Sequence, residues 1–395
     1  MAYLLIGNTI ILSVLGFGVS RRLSLYSPLI LSAVVWQVVF ICGLAFRSSF
    51  YPLTGTAFVM WLVWFLVSSL FFLFLGNQPQ TAVPEAPRRL PVDYTLILVV
   101  IILWLAWQVR AVGAAGPAQF FSNLRLSSNE NNGLETLGVV GRFYPLIFAL
   151  FLFEHIHARD ANRRLRVLLW SLMLLFAVAT MGKLTALTPI VGWAVIKGLR
   201  GRLPVRKLLV LVPAVFGLMI ALQVVRALAG EQLVLSKFLG LYVYSPLVAL
   251  GYMNTPPDAP FGAHVFRFAY ALVEAAFGGR APVQVVQPYV AVPFPTNVYT
   301  VIQPFAADFG HIGVFFGAVF YGLFFSLVFH LARSGRQLPL MIYAGLAMVL
   351  VGQFIGEFLF TMFSGQLQFV LAAVAVTALS TRATAEKGHP LGSSS

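Results

Sequence analysis

Long apolar runs, separated by short polar segments, make up most of the chain. A helix that crosses a bilayer needs about 20 apolar residues, and it satisfies its own backbone hydrogen bonds in lipid. The pattern predicts eleven such helices, at residues 3–19, 28–46, 53–75, 94–111, 143–157, 167–182, 184–197, 208–225, 313–332, 338–358 and 366–381. We therefore predict an all-α polytopic membrane protein in which residues 1–381 form a single integral membrane domain.

The composition favours a membrane protein over a soluble one. Hydrophobic residues make up 59% of the chain and charged residues only 10%, whereas soluble domains average about 45–50% and 25%. Cys42 is the only cysteine, which excludes an intramolecular disulfide and a cysteine metal cluster. No basic segment precedes the first apolar run, so we predict a first span there and not a cleaved signal peptide.

Basic residues outnumber acidic ones, 26 to 12, and in a membrane protein this excess bears first on orientation. One alternate set of predicted connections carries 17 Lys and Arg residues, and the other carries 9. The positive-inside rule places the first set in the cytoplasm. An odd number of crossings then puts the N-terminus outside and the tail 382–395 in the cytoplasm. This tail ends in small polar residues that resemble a cloning remnant.

Two long loops on the predicted outer face, residues 112–142 and 226–312, hold most of the titratable residues outside the basic connections. Two apolar pieces of the larger loop, Leu233 to Met253 and Val265 to Ala276, are predicted to be re-entrant or to lie along the membrane interface. The alternative is that Leu233 to Met253 spans the membrane. In that case the predicted orientation after it would reverse.

No soluble-enzyme motif stands out in the sequence. A Walker-type phosphate loop, a Gly-x-Ser-x-Gly elbow and a histidine pair at metal-ligand spacing are all missing from it. ATP-driven transport by this chain alone is therefore excluded. His155 and His157 are predicted to be solvated at the interface, and Glu357 is predicted to pair with a basic residue.

Three basic residues on the predicted outer face suggest an anion site. Lys183 interrupts an apolar stretch, where a charge held at the membrane centre would cost at least ~2.5–3.5 kcal/mol. It either marks a cavity or snorkels to the interface. Arg226 and Arg125, each taken alone, are more simply solvated loop charges. Together the three suit a pyrophosphate, because guanidinium groups bind phosphate oxygens bidentately without a metal.

One polar block resembles a known family. Asn297-Val298-Tyr299-Thr300, followed by Asp308-Phe309-Gly310-His311-Ile312-Gly313, resembles the motif of the bacterial oligosaccharide repeat-unit polymerases, the Wzy-type O-antigen polymerases. In that family, Asn-x-Tyr-Thr is followed by a short spacer, Asp-Phe-Gly-x-x-Gly and a span. The resemblance covers residues from about 120 to 335. Its other parts are Thr180–Lys183, Tyr242–Pro246 and Phe261–Phe266, and Lys183 stands where the family commonly has Arg.

The resemblance implies a GT-C-like polytopic glycosyltransferase in the bacterial inner membrane, with a periplasmic N-terminus and a cytoplasmic C-terminus. Donor and acceptor would both be undecaprenyl-pyrophosphate-linked oligosaccharides. The growing glycan would move from its lipid pyrophosphate to a new lipid-linked unit. The implied partners are these lipids, the bilayer and a chain-length regulator protein. No cofactor, metal or nucleic acid is implied.

The same resemblance assigns roles to individual residues. Four basic residues are expected to stabilise the charge on the departing pyrophosphate: Arg226, Arg125, Lys183 and Arg267. Asp308 or His264 would orient or deprotonate the acceptor hydroxyl, so the expected catalytic residues are Asp308, His264 and Arg226. Asn297 and Tyr299 would bind sugar or hold Asp308 in place. A continuous helix would put Asn297 and Asp308 on one face, although Pro304 argues against such a helix.

Alternatives remain for Asp308 and for the function. Asp308 could act only as the N-cap of a span that begins near Ile312. An O-antigen ligase would use the same donor but transfer the glycan to lipid A core. A transporter or flippase for lipid-linked saccharides predicts broken helices and ionisable residues near the midplane in both halves, which the sequence does not show. A membrane scaffold would leave the outer charges unexplained.

Overall fold

The structure is a computed structural model. It describes residues 1–76, 88–116, 119–130, 133–156, 163–204, 239–253, 260–284 and 287–382, together with several single positions between 206 and 224. These residues form fourteen helices: α1 (Ala2–Ser20), α2 (Pro28–Phe46), α3 (Gly55–Phe74), α4 (Thr95–Ala115), α5 (Phe120–Glu130), α6 (Gly138–Gly141), α7 (Tyr144–Ile156), α8 (Arg163–Thr180), α9 (Lys183–Leu199), α10 (Ser245–Leu250), α11 (Arg267–Phe277), α12 (Gln303–Arg333), α13 (Gln337–Val351) and α14 (Phe363–Leu379). The strands are β1 (Arg88–Arg89), β2 (Val290–Ala291), β3 (Pro295–Thr296) and β4 (Thr381–Arg382), paired antiparallel as β1–β4 and β2–β3.

Five of these helices are long and apolar enough to cross a membrane, namely α1, α2, α3, α4 and α12. A sixth candidate combines Leu134–Gly141 with α7, although the two parts are bent by 76°. Such lengths match the ~20 apolar residues that a bilayer span needs. The described part of the chain is therefore mostly helical with five or six candidate spans, as expected of a membrane protein.

The predicted number of eleven spans and the GT-C-like fold go beyond these candidates and stay predictions. Four apolar helices, α7, α9, α13 and α14, have 13, 17, 15 and 17 residues, which is short for an upright span. α8 has 18 residues but contains Arg163, Arg164 and Arg166 in its first turn. The predicted span 208–225 lies almost wholly outside the described residues.

The segment Gly240–Leu250 is buried and does not have the length of a span. It consists of a five-residue π-helical turn, Gly240–Tyr244, followed by the six residues of α10. Tyr244 is fully buried beside α2, where a Cβ on Gly43 would come within 2.7 Å of its ring. Residues 225–238 are outside the described ranges, so the non-spanning interpretation of Leu233 to Met253 stays a prediction.

The core is formed by apolar side chains between the long helices. α3 packs along α12, α9 along α13, α1 along α2, and α7 along α14. The largest side chains with under 2% exposure include Trp36, Trp61, Trp64, Phe40 and Phe65, which come from α2 and α3. Burying rings of this size contributes most of the apolar contact area at such helix interfaces.

Two sets of contacts define the two ends of the helix bundle. At one end β1 pairs with β4, and the Arg200 guanidinium donates to the Gly335 carbonyl at 3.5 Å. We call this the basic end. At the other end, the Tyr51 amide donates to the Val292 carbonyl at 3.3 Å. We call this the motif end. The connections that meet at the basic end belong to the predicted set with 17 Lys and Arg residues. That this end faces the cytoplasm stays a prediction.

A buried glutamine ties three helices together in the interior of the bundle. The Gln353 side-chain oxygen accepts hydrogen bonds from Ser32 Oγ (3.3 Å), Trp36 Nε1 (3.0 Å) and Trp64 Nε1 (3.3 Å). Its backbone carbonyl accepts from the Val301 amide at 2.7 Å. A buried polar group that is satisfied in this way fixes the position of its neighbours. Gln353 therefore holds α2, α3 and the start of α12 in register.

Candidate active site at the motif end

The loop from Pro260 to Phe266 wraps over the start of α12. Its turns are closed by hydrogen bonds from the Ala263 amide to the Pro260 carbonyl (3.1 Å) and from the Phe266 amide to the Gly262 carbonyl (2.8 Å). Gly262 has φ of +65°, a conformation that side chains disfavour. A Cβ there would also approach the Phe309 ring at 3.2 Å. The loop thus needs glycine at this position to close against α12.

Asp308 of α12 is bound by this loop through its carboxylate. The carboxylate accepts from the backbone amides of His264 (3.0 Å) and Val265 (2.8 Å), and it lies 2.7 Å from His264 Nδ1. The Asp308 side chain is only 1% exposed, whereas that of His264 is 10% exposed. Two of the predicted catalytic residues, 44 positions apart in sequence, are therefore in direct contact.

The contact defines the chemical role of each partner. An ionised carboxylate only accepts hydrogen bonds, so His264 Nδ1 carries the proton of the shared bond. The lone pair of a neutral ring is then on Nε2, and that nitrogen can accept a proton from a substrate. Since His264 is the less enclosed of the two side chains and its Nε2 is not used in the contact with Asp308, the geometry favours His264 as the base and Asp308 as the group that orients it.

The structure does not support the interpretation of Asp308 as a simple helix cap. Asp308 is helical itself and lies in the segment before the break at Gly310, two residues from that break. Among the described residues, the amides that its carboxylate binds belong to His264 and Val265 of the loop. An N-cap would bind amides of its own helix two or three residues ahead. Asp308 therefore joins two distant segments.

α12 consists of two helical segments that meet at a break at Gly310, so the segment after the break matches the span predicted from about residue 313, whereas the helical segment 303–309 before it was not predicted. Pro304 is in the first turn, where a missing amide hydrogen removes no helix bond. The helix is interrupted at Gly310, which has φ of 60° and ψ of −145°. After this kink, a Cβ on Gly313 would clash with the Phe305 carbonyl oxygen. Both glycines of the motif are thus required by the bent backbone.

The aromatic residue of the motif anchors the loop to the helix. The Phe309 ring lies between Phe261, with centroids 5.0 Å apart, and Phe266, at 6.4 Å. Both contacts are edge-to-face arrangements, which are favourable for aromatic pairs. Phe309 therefore packs against the same loop that Asp308 binds through hydrogen bonds.

Asn297 and Tyr299 lie in the segment that precedes α12. The Tyr299 hydroxyl donates to the Pro288 carbonyl at 3.0 Å, and burial raises the pKa of this phenol. Among the described contacts, Tyr299 therefore holds its own loop and not Asp308. Asn297 is partly exposed and lies outside the helix, so it does not share a helix face with Asp308 as a continuous helix would have required.

Arg267 is the basic residue nearest in sequence to the paired side chains. It begins α11, three residues after His264, and its Nε donates to the Val283 carbonyl at 2.7 Å. This bond uses one of the five N–H groups of the guanidinium. The two terminal nitrogens keep the geometry to bind two phosphate oxygens.

Lys183 and Arg125 lie at the motif end on other elements. Lys183 begins α9, and its Nζ is 3.4 Å from the centre of the Tyr242 ring, a cation–π contact. The next turn of α9 packs near Met348, close to the end of α13 that leads to Gln353. Arg125 is half-buried on α5, which packs against the C-terminal end of α4. Arg226 falls outside the described residues.

A second buried carboxylate, that of Glu357, has partners other than the basic residue that the sequence predicted. The Glu357 carboxylate accepts from the amides of Leu359 (2.7 Å), Phe360 (2.9 Å) and Thr361 (2.7 Å) and from the hydroxyl of Tyr321. The expected basic partner is not among these four donors. A glutamate whose turn bends back onto it is difficult to recognise in sequence, although the neighbouring Gly356 is one signal of a turn.

Within the described residues, no group of three or more His, Cys, Asp and Glu side chains is placed to hold a metal ion. No protein-family model, curated protein sequence or solved structure matches this chain. The case for a function therefore comes from the paired residues, the cations around them and the sequence motif.

Proposed function

We propose that the chain is a glycosyltransferase that joins undecaprenyl-pyrophosphate-linked oligosaccharide repeat units at the periplasmic face of the inner membrane. The observation that carries this proposal is the pairing of His264 with Asp308. Asp308 belongs to the motif that resembles the repeat-unit polymerases, and the pairing supplies a positioned base within it. The predicted outer location of this end, the product and the lipid partners are all parts of the proposal.

In the proposed reaction, His264 Nε2 accepts the proton of the acceptor sugar hydroxyl as its oxygen attacks the anomeric carbon of the growing glycan. A new glycosidic bond forms, and the bond from the anomeric carbon to the lipid pyrophosphate breaks. The pyrophosphate leaves with that electron pair. Asp308 stabilises the imidazolium that results and keeps the ring oriented, as a buried carboxylate does beside a catalytic histidine.

Basic side chains complete the proposed mechanism by stabilising the negative charge on the departing pyrophosphate. Arg267 is the described candidate nearest to His264 in sequence, since it begins the helix three residues after it. Arg125 and Lys183 share the same end of the bundle, and Arg226 remains assigned on the sequence alone. The energy of the transfer comes from the phosphate-linked donor, so the proposal requires no nucleotide site.

The proposal is tested by replacing His264 with Asn and measuring glycan polymerisation by purified protein on lipid-linked repeat units. Loss of a general base is expected to lower the rate by ~10²–10⁴-fold. His311→Asn is the matched control, because His311 is an exposed histidine three residues from Asp308. Polymer of normal length, formed at a normal rate by the His264 variant, would remove this residue from the mechanism.

The same assay distinguishes the ligase alternative from the polymerase. When lipid A core is offered together with lipid-linked units, a polymerase extends the lipid-linked chains and leaves the core unmodified. A ligase instead transfers glycan to the core. Product on the core alone would replace the polymerase proposal with the ligase, while the role of His264 as a base would remain open to the same substitution.

A further inference from the structure

Helix α11 turns an apolar face away from the rest of the protein. Among the described residues, Leu272 is 54% exposed, Val273 is 52% exposed and Phe277 is 84% exposed. Successive helical residues are 100° apart, so Leu272 and Val273 lie on one side together with the exposed Ala269 and Ala276. Helices on the surface of a water-soluble domain show the opposite arrangement, with the apolar stripe facing inward.

The polar groups of α11 are directed to the other side. Arg267 and Glu274 project about 160° from the middle of the apolar face. The Arg267 guanidinium binds the Val283 carbonyl, and the Tyr270 hydroxyl donates to the Phe261 carbonyl at 2.8 Å. Polar contacts with the protein are thus made by one side of the helix, while the apolar side points outward.

The apolar face is continuous with the surfaces of neighbouring helices that face away from the bundle. The ring of Phe268 in α11 lies 5.1 Å from that of Phe363 at the start of α14. Farther along α14, Leu367 and Leu371 are 40% and 59% exposed. The loop before α11 contacts Phe309 of α12, and just beyond it Ile312 is 70% exposed. α12 is one of the candidate spans, so these surfaces are expected to contact lipid.

We propose that α11 lies in the headgroup layer of the bilayer and inserts Leu272 and Val273 among the lipid acyl chains. The partner is a phospholipid surface, because the exposed face continues the apolar belt of α12 and α14. Eleven residues of helix are about 16 Å long, which is about half of the hydrocarbon thickness. The helix therefore lies along the interface and does not cross it.

The placement of α11 in the interface does not depend on the proposed function. One consequence of the placement, the depth of the proposed base, does rest on that function. His264 is three residues before α11 and is held by Asp308 of a candidate span. An interfacial α11 would fix the depth of the proposed base at the membrane surface, where the phosphate groups of lipid-linked substrates also lie.

The placement is tested with spin labels on the full chain in phosphatidylcholine and phosphatidylglycerol vesicles. Because Cys42 is the only cysteine and is buried, Cys42→Ala provides a background in which single cysteines are introduced by Leu272→Cys and Val273→Cys. Glu274→Cys is the matched control on the polar side of the same helix. Accessibility to oxygen, which concentrates in the bilayer, is compared with accessibility to a water-soluble nickel chelate.

We expect the oxygen-to-nickel ratio at positions 272 and 273 to exceed that at 274 by roughly threefold or more. High nickel accessibility at 272 and 273 would mean that the face is in water and would overturn the proposal. Low accessibility to both reagents would mean that protein covers the face and would equally overturn it. Ala276→Cys, at an exposed position on the same face, replaces either variant if that variant does not fold. The readout involves no glycan transfer, so it is independent of the proposed enzyme activity.

Discussion

Asp308 and Glu357 are both buried carboxylates at the motif end, and both accept hydrogen bonds from backbone amides. The Glu357 amides come from residues two to four positions ahead, and the fourth donor is the Tyr321 hydroxyl. Asp308 instead binds a loop 43 and 44 residues away, which includes an imidazole nitrogen.

The difference separates a turn from a site. The described donors to Glu357 are three backbone amides and one phenol, all of them neutral. The amides have no lone pair that could accept a proton from a substrate, and the phenol is buried. The donor from His264 belongs to a ring whose second nitrogen can still exchange a proton. Asp308 therefore orients a titratable side chain, which is what a catalytic pair requires, whereas the amides that bind Glu357 only close its own turn.

The comparison predicts its largest effect for Asp308→Asn. An amide cannot accept at both positions and would direct an N–H group at a backbone donor, so the loop loosens and His264 loses its orientation. We expect the rate of glycan polymerisation to fall by at least ~10²-fold, and the free energy of unfolding to fall by ~1–3 kcal/mol. Polymer ladders and thermal unfolding in detergent measure the two effects. Glu274→Gln, an exposed carboxylate change on α11, is the control.

Glu357→Gln sharpens the comparison because it should affect only folding. The amide loses part of its acceptor capacity for three backbone N–H groups, so the unfolding free energy is expected to fall by ~1–3 kcal/mol. The polymerisation rate per folded molecule should stay near that of the unsubstituted chain. Tyr321→Phe removes one donor and should cost less. A rate loss as large as that of Asp308→Asn would show that Glu357 also acts in the site, and that the two carboxylates do not differ in role.

Gly310→Ala tests whether the kink beside Asp308 is needed to present it. There is open space around a Cβ at Gly310, so the expected cost of ~1–3 kcal/mol comes from its positive φ alone. Gly365→Ala in α14 is matched, since its Cβ also meets no atom within 4 Å and its φ is not positive. That variant should be neutral or slightly stabilising in thermal unfolding. Equal stability of the two variants would show that the kink is not strained.

The smallest effect is expected from Tyr299→Phe. This change removes the hydrogen bond to the Pro288 carbonyl and keeps the ring, so unfolding should become easier by ~0.5–1.5 kcal/mol. Polymerisation should be nearly unchanged, because Tyr299 does not contact Asp308 among the described residues. A large rate loss without a stability loss would return Tyr299 to the sugar-binding role that the motif suggested.

Much of the helical framework was predictable because apolar length is a local property. The run that became α2 was placed at 28–46, and the helix is Pro28–Phe46, with the Ser27 side chain accepting from the Ile30 amide at its start. The break at Gly310 separates the predicted span from the helical segment 303–309, which was not predicted. Seven residues that include Pro304 and Asp308 are too short to show a helical hydrophobic pattern.

The site was only partly predictable, because its geometry depends on long-range contacts. His264 and Asp308 were each singled out by residue type, but their spacing of 44 residues contains no signal that they meet. His155 shows the opposite error, since it was expected to be solvated. It is 3% exposed, with Nδ1 at 2.7 Å from the Phe151 carbonyl and Nε2 accepting from Trp170 Nε1. The partner of His155 is a tryptophan on the next helix, and a sequence search for charged partners does not identify such a contact.

The pairing of β1 with β4 has a consequence for biogenesis. It joins Arg88 to Arg382 and Arg89 to Thr381, and the first of these pairs is 294 positions apart in the chain. A ribosome makes the chain from its N-terminus, so this pair forms only after the last described helix has been synthesised. Until then, α4 must be kept in place by its neighbours alone. The two-residue strand pair is therefore among the last contacts that can form during synthesis.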